Sequence, residues 1–417
     1  MTVAVDPDSA AAGLLSGLRV IDAATMVMVP SAALVMADYG AEVIKVEALS
    51  GDANRFGHLI PGMPDHQRDY CFFQDNRNKK SLAIDLKHPD GLALFYRLVE
   101  TADVFFTNLR ARALDALRID YASLRERNGR LIYAHGTGYG DAGPEACKPG
   151  YDAVCYWSRS GLEHSMFPLD GWLGPIPYGS GDHPSGMSLF AAVMMALYRR
   201  ERTGEGSRVS TSLIANGAWS NATVIQARLL DATFHERRPR ERPLNFAAVY
   251  YVAGCGRKFK FTIIEHQKKW PALCRCIGRE DLIDHPRYAT VEARARVTGE
   301  LVSLFDRQFA ERPLDDWKGR FEESDVPFSI LSDYDDVASD EQMRANGVFV
   351  EIEDELLGRV RSVNSPLVLE HDPPVRPRRA PHVGEHTREI LAALGEPEES
   401  IEDLIRRGVV GGGPTRP

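Results

Sequence analysis

None of the six cysteines (Cys71, Cys147, Cys155, Cys255, Cys274 and Cys276) belongs to a CxxC pair. Cys274 and Cys276 are too close together for a zinc knuckle, so no metal site is expected. Scattered thiols in such a chain read as reduced, which suits the cytoplasm. Long apolar runs are missing too. The most apolar stretch, 187–198, is shorter than the roughly 20 residues a membrane helix needs, and it ends in Arg199-Arg200-Glu201-Arg202. The opening MTVAVDPDSAAAG has neither a basic start nor an apolar core, so no signal peptide is expected. Basic charge is in deficit, with 50 Lys and Arg against 59 Asp and Glu. A net charge of −9 argues against a nucleic-acid-binding face, and any phosphate-bearing ligand needs a local basic pocket. No internal repeat is present.

What is there is an alternation of strands and helices. Short β-type runs at 18–23, 43–46, 81–86, 104–107 and 131–134 are separated by helical runs at 30–39, 89–100 and 114–127. Pro30 suits the first turn of its helix and Gly40 its stop. This pattern predicts an α/β fold with a parallel sheet covered on both faces. A long buried helix is expected over 185–203. Beyond about 225 the alternation breaks. A hairpin is expected over 249–264, turning at Gly254-Cys255-Gly256, with helical runs at 270–277, 294–309 and 314–323. Strands return near 348–351 and 360–363. A Pro/Arg-rich connector covers 372–381, and a last helix spans 387–394. The boundaries expected are a large domain from 1 to 205, a linker helix over 206–225, a small α+β domain over 226–330, and a return segment over 331–417. The tail VVGGGPTRP, from Val409 on, reads as mobile.

Asp182 lies in GSGDHPSGM, residues 179–187, between glycines and a helix. Spacing alone reads it first as a helix cap. The other reading is a carboxylate left open by small neighbours, with free N–H groups at the helix start to receive a developing oxyanion. His183, His135 and His164 are candidate general bases, and a lone histidine is usually structural. Residues 138–143 spell GxGxxG after a strand. Pro144 and the 147–150 segment Cys-Lys-Pro-Gly do not continue as a helix, so the match reads as a decoy. Basic residues at strand ends, in Asn76–Lys80 and at Arg110, suit phosphates but equally suit solvated surface.

Together these segments resemble the family III coenzyme A transferases, typified by formyl-CoA transferase and the carnitine CoA-transferases. The resemblance runs from Gly17 to about Val410. It is carried by GLRVIDAATMVMVPSAALVMADYGAEVIKVE (17–47), GDANR (51–55), NRNKKSLAIDL (76–86), ADVFFTN (102–108), 138–144, PGYD (149–152), 309–327 and GEHT (384–387). It implies that Asp182 is the catalytic residue, attacking a donor acyl-CoA to form first an anhydride and then an aspartyl-CoA thioester. It places coenzyme A contacts at Thr25, Val27, Met28 and Arg55, at Asn76 and Lys79, at Asn108, Leu109 and Arg110, and at Thr137 and Tyr139. It implies no cofactor beyond coenzyme A as substrate carrier. The partners it implies are an acyl-CoA, a carboxylic acid acceptor and a second copy of the chain. The fold it implies is a Rossmann-like large domain built from both chain ends, a smaller domain, and an interlocked homodimer.

This chain departs from the formyl-CoA branch. Thr25 and Val27 stand for a histidine and a glutamine, Ala48 for an arginine and Thr137 for a lysine, and the glycine-rich covering loop is missing near 237–246. These departures argue against oxalate and formate as substrates. Met166, Phe167, Trp157 and Trp172 suggest room for a larger acyl group, or simply core. The superfamily also holds α-methylacyl-CoA racemases, whose second acid/base is a histidine where this chain has Tyr151. Transfer is therefore favoured over racemisation, with non-catalytic acyl-CoA binding as a third reading.

Overall fold

Six short runs, mostly of β-branched and aromatic residues, assemble into one parallel sheet with the strand order 3-2-1-4-5-6. The structure is a computed structural model and describes residues 13–413 apart from 168, 170 and 172. The elements up to 230 are β1 (Arg19–Asp22), α1 (Met28–Asp38), β2 (Glu42–Glu47), α2 (Tyr70–Asn76), β3 (Lys80–Ala83), α3 (Pro89–Glu100), β4 (Val104–Thr107), α4 (Ala111–Leu117), α5 (Tyr121–Arg127), β5 (Ile132–Thr137), α6 (Leu162–Met166), α7 (Asp182–Thr203), β6 (Ser207–Ser212), α8 (Leu213–Ser220) and α9 (Ala222–Leu229). Ile21 pairs with Ile44 and Phe105 on one face and Val20 pairs with Val43 and Val104 on the other, so the centre of the sheet is apolar on both faces.

Helix α1 is buried along its whole length between the sheet and α7. Small residues permit this. A Cβ at Gly186 of α7 would stand 2.2 Å from the Ser31 hydroxyl, and one at Gly136 of β5 would stand 2.3 Å from Val29. The opposite face is covered by α3 and α5. The long helix predicted at 185 begins instead at Asp182. It is not buried throughout, since Met195 and Tyr198 are exposed.

The linker helix expected over 206–225 is in part a strand. Residues 207–212 form β6 and pair with β5 (His135 with Ser210), and α8 begins only at Leu213. The run SRVSTS is mostly polar because β6 is an edge strand, which weakens the apolar alternation on which strand reading depends.

Residues 231–344, with the short segment around Phe167, form a second compact unit. It contains β7 (Tyr251–Val252), β8 (Lys258–Phe261), α10 (His266–Cys276), α11 (Val291–Arg296), α12 (Thr298–Ala310), α13 (Leu314–Ser324), β9 (Phe328–Ile330) and α14 (Tyr334–Ser339). β7, β8 and β9 make an antiparallel sheet over an aromatic core of Tyr251, Phe259, Phe261, Phe305 and Phe309. The expected boundary at 330 thus falls inside this unit. The chain then passes through α15 (Glu341–Ala345), the hairpin β10 (Phe349–Asp354) and β11 (Gly358–Val363), α16 (Thr387–Ala393) and α17 (Glu398–Arg406). Ile390, Leu391, Ile401 and Leu404 enter the same core as Ile21 and Phe105, and Val410 bridges Ile84 beside β3. The large unit is therefore built from both ends of the chain. Of the tail expected to be mobile, residues 414–417 lie outside the described residues.

Candidate active site

Gly179 adopts a left-handed backbone (φ +72°), and a Cβ at Gly181 would stand 2.6 Å from the ring of Tyr156. Two glycines therefore let the chain turn tightly beneath Tyr156 and enter α7 at Asp182. Asp182 does not cap the helix. Gly181 holds the cap position, and among the described residues no group donates a hydrogen bond to the Asp182 carboxylate. The N–H groups expected to receive an oxyanion are mostly in use. Gly181 donates its N–H to Asp152 Oδ2 (3.0 Å), His183 donates its N–H to the Gly179 carbonyl (3.0 Å), and Pro184 has none.

Burial and the nearby Asp152 charge push the Asp182 carboxyl up to about 8, with His183 pulling the other way. Asp152 is itself buried, at the start of the π-helical turn 153–158, and its Oδ1 accepts the Ala153 N–H. The His183 Nε2 meets Asp75 Oδ1 at 2.9 Å, and its Nδ1 meets the Gly179 carbonyl at 2.9 Å. Burial disfavours charge on this ring, but the Asp75 carboxylate and the Gly179 carbonyl outweigh burial and hold it up at about 9. The ring keeps 45% of its surface open, so solvent screens part of that pairing. With an acceptor at each nitrogen, His183 has no free lone pair and is no general base. Of the other candidates, His135 is buried and spans Asp141 and the Leu109 carbonyl.

A crevice of about 650 Å³ opens at the carboxyl ends of β1, β2 and β3, beside β4, where the strand order reverses. Its walls include Ala24, Thr25, Leu49, Leu86, Leu109 and the exposed Lys87. A crevice at such a switch point is the usual ligand position in an open α/β sheet. A run of hydrogen bonds joins its wall to the Asp182 loop. Asp52 accepts the N–H groups of Met26 (3.2 Å) and Asn54 (2.9 Å). Asn54 donates to the Met26 carbonyl (3.2 Å) and accepts the Tyr178 hydroxyl (2.8 Å). These contacts hold Met26 at φ +65°, a strained conformation for a side-chain-bearing residue. The GxGxxG segment forms bends and no helix, as its sequence indicated.

The model of CoA-transferase family III matches residues 15–387. The chain belongs to CoA-transferase family III. It is 30% identical to (R)-2-hydroxy-4-methylpentanoate CoA-transferase of Clostridioides difficile, over 95% of this chain and 99% of that one. It is also 30% identical to cinnamoyl-CoA:phenyllactate CoA-transferase of Clostridium sporogenes, over 94% and 96%. Among solved structures, a CAIB/BAIF family protein from Brucella suis superposes with a TM-score of 0.79 at 27% identity, over 92% of this chain and 99% of that one. As a family III CoA-transferase the protein is an enzyme, and acyl-CoA and carboxylate substrates follow from the family.

The residues expected to touch coenzyme A divide sharply in this CoA-transferase. Thr25 and Leu109 line the crevice, and Asn108 clamps Thr25 by accepting its N–H (2.9 Å) and donating to its carbonyl (2.7 Å). Arg110 is exposed at the start of α4. Val27 is buried against Gly179 in the Asp182 loop, and Met28 is buried in the helix–sheet core. Thr137 accepts the Gly140 N–H, and Tyr139 is half-buried against Cys155 and Gly150.

Three of the expected contacts are internal instead. The Lys79 ammonium is fully buried, and its donors go to Asp22 (2.8 Å), the Pro30 carbonyl (2.8 Å) and Asn76 (3.0 Å). Arg55 grips Glu47 through two nitrogens (2.9 and 2.7 Å) and stacks over Phe72. Asn76 has no exposed surface. All three are buried, with their donors turned to partners within the protein, as buried polar and charged groups require.

Asp75, Asn54, Tyr178 and Lys87 were not singled out from sequence. Only Lys87, a cation just past a strand end, carries a readable signal. At the Asp182 loop, Trp157 donates to the Ser180 hydroxyl (3.1 Å). Met166 and Phe167 are exposed, and Trp172 lies outside the described residues.

Proposed function

We propose that this enzyme moves coenzyme A from an acyl-CoA thioester to a free carboxylic acid, with Asp182 as covalent carrier. The observation that carries this reading is a half-buried carboxylate at a helix start, beside glycines, with no hydrogen bond donated to it among the described residues. A carboxylate that is neither capped nor ion-paired keeps its oxygen lone pairs for attack.

In this reading Asp182 first gives up the proton that burial favours. An oxygen of the carboxylate attacks the thioester carbonyl, the C–S bond breaks and coenzyme A leaves as thiolate. The acyl-aspartyl anhydride is then attacked at the Asp182 Cγ by that thiolate, which releases the donor acid and leaves an aspartyl-CoA thioester. The acceptor carboxylate attacks the same carbon and expels the thiolate. The thiolate then attacks the acceptor's carbonyl, which frees Asp182 and yields the new thioester. The thioester bond energy is retained throughout, so no ATP or redox partner enters. Water must be kept away, since both intermediates hydrolyse.

The switch-point crevice is the proposed seat of the nucleotide end of coenzyme A. Its mostly apolar walls suit a purine, and the exposed Lys87 and the nearby Arg110 suit phosphates. A homodimer is proposed as the working form. Trp219, Leu229 and Leu230 are each more than 70% exposed, an apolar surface that an isolated chain seldom leaves open. The decisive test incubates the enzyme with an acyl-CoA and then with hydroxylamine. A hydroxamate on Asp182, found by peptide mass spectrometry and absent without acyl-CoA, is the expected result. An unmodified Asp182 under turnover overturns the proposal.

A further inference from the structure

We propose that His183, held by Asp75, is the electrostatic support that eases ionisation of the Asp182 nucleophile, in place of the backbone donors a helix start normally offers. This rests on Asp182 being the nucleophile.

The local geometry leaves Asp182 short of partners. The preceding N–H is taken by Asp152, the following one by Gly179, and the next residue is a proline. The titratable groups acting on Asp182 come from three elements. Asp152 stands before the π-helical turn, Asp75 lies on α2 and His183 on α7 itself. Cys155 in the π-helical turn and Tyr178 on the loop also face Asp182, and its charge pushes both of them up. Among the described residues His183 is the one cation in this set. Asp152 and Asp75 are carboxylates, each of which disfavours a further negative charge nearby.

The ring is fixed in place. Asp75 is buried, with 3% of its side chain exposed, and it takes one nitrogen at 2.9 Å, while the Gly179 carbonyl takes the other at the same distance. Both contacts are to oxygen acceptors, so both are satisfied only when the ring carries two protons and a positive charge. His183 is therefore a positioning and charge-supplying residue that acts through Asp182, and the Asp75 pairing keeps it charged in the pH range where Asp182 must ionise.

The test compares the pH dependence of hydroxylamine trapping on Asp182 in the native enzyme, in His183→Gln and in His183→Lys. Each variant is first checked for a native circular dichroism spectrum and melting behaviour. In His183→Gln the low-pH limb of trapping should move up by about half to one pH unit, which reads at pH 7 as roughly a three- to tenfold loss of adduct relative to native. His183→Lys, which restores a cation, should recover most of that shift. A folded His183→Gln protein with an unmoved limb overturns the inference, as does a lysine variant that tracks the glutamine variant. If Asp182 is trapped in none of the proteins, native included, at any pH, the nucleophile assignment itself fails, which is a different result.

Discussion

Asp152 and Gly181 are joined by a hydrogen bond of 3.0 Å from the glycine N–H to the Asp152 carboxylate, which fixes that carboxylate one residue from Asp182. Asp152 thus shapes the loop and at the same time opposes ionisation of Asp182. Replacing it with asparagine keeps an acceptor for Gly181 and removes the charge. The low-pH limb of kcat/KM should then move to lower pH. A pH–rate profile of Asp152→Asn whose limb stays put, or moves upward, contradicts this.

The native profile follows from the same group. In the proposed mechanism Asp182 attacks as carboxylate, and its carboxyl is pushed up to about 8. The reactive form is therefore dominant above that pH and is lost as pH falls through it. Below the limb, kcat/KM should drop about tenfold per pH unit. Initial rates with saturating acceptor between pH 5.5 and 9 check the slope and the midpoint.

Gly181→Ala tests the tight entry into α7. The added methyl would lie 2.6 Å from the Tyr156 ring, at an atom near the backbone that cannot swing away. Overpacking of this kind costs about 1–3 kcal/mol. The displaced loop should also lower kcat by about 10- to 100-fold, since small misplacements of reacting groups are costly. A thermal melt together with kcat separates the two effects.

Lys79→Met distinguishes a buried structural cation from a phosphate contact. Removing it leaves the Asp22 carboxylate short of a partner at 2.8 Å, with Lys45 remaining at 3.7 Å. Breaking one side of a buried pair costs about 3 kcal/mol or more. A lowered urea midpoint, with KM for acyl-CoA unchanged in the folded fraction, is expected.

Lys87→Ala tests the crevice. Lys87 is exposed on its wall, so its loss should leave the melting temperature unchanged. KM for acyl-CoA should rise several-fold, with kcat kept and the effect shrinking in high salt. Steady-state kinetics at two ionic strengths provide the check.

Much of the large unit could be read from the sequence. α3 begins at Pro89 and ends at Glu100 as its period indicates, β4 spans 104–107, and Gly40 stops α1 with φ +97°. These features depend on neighbours a few residues apart, which a local pattern records. β6 was missed because an edge strand of serines and a threonine buries too little to show an apolar period. α17 was missed as well, although its apolar positions Ile401 and Leu404 enter the core.

For the site, the sequence by itself determined that a carboxylate, flanked by glycines, would stand where a long helix begins. Tertiary structure decided what surrounds it. Asp75 reaches His183 across 108 positions and Asp152 reaches Gly181 across 29. Packing also turned Lys79 and Arg55 inward, away from the ligand role their charge suggested. Ionisation and donor availability depend on burial and on distances of a few ångströms between such remote groups, and these are set only when the sheet and its helices close together.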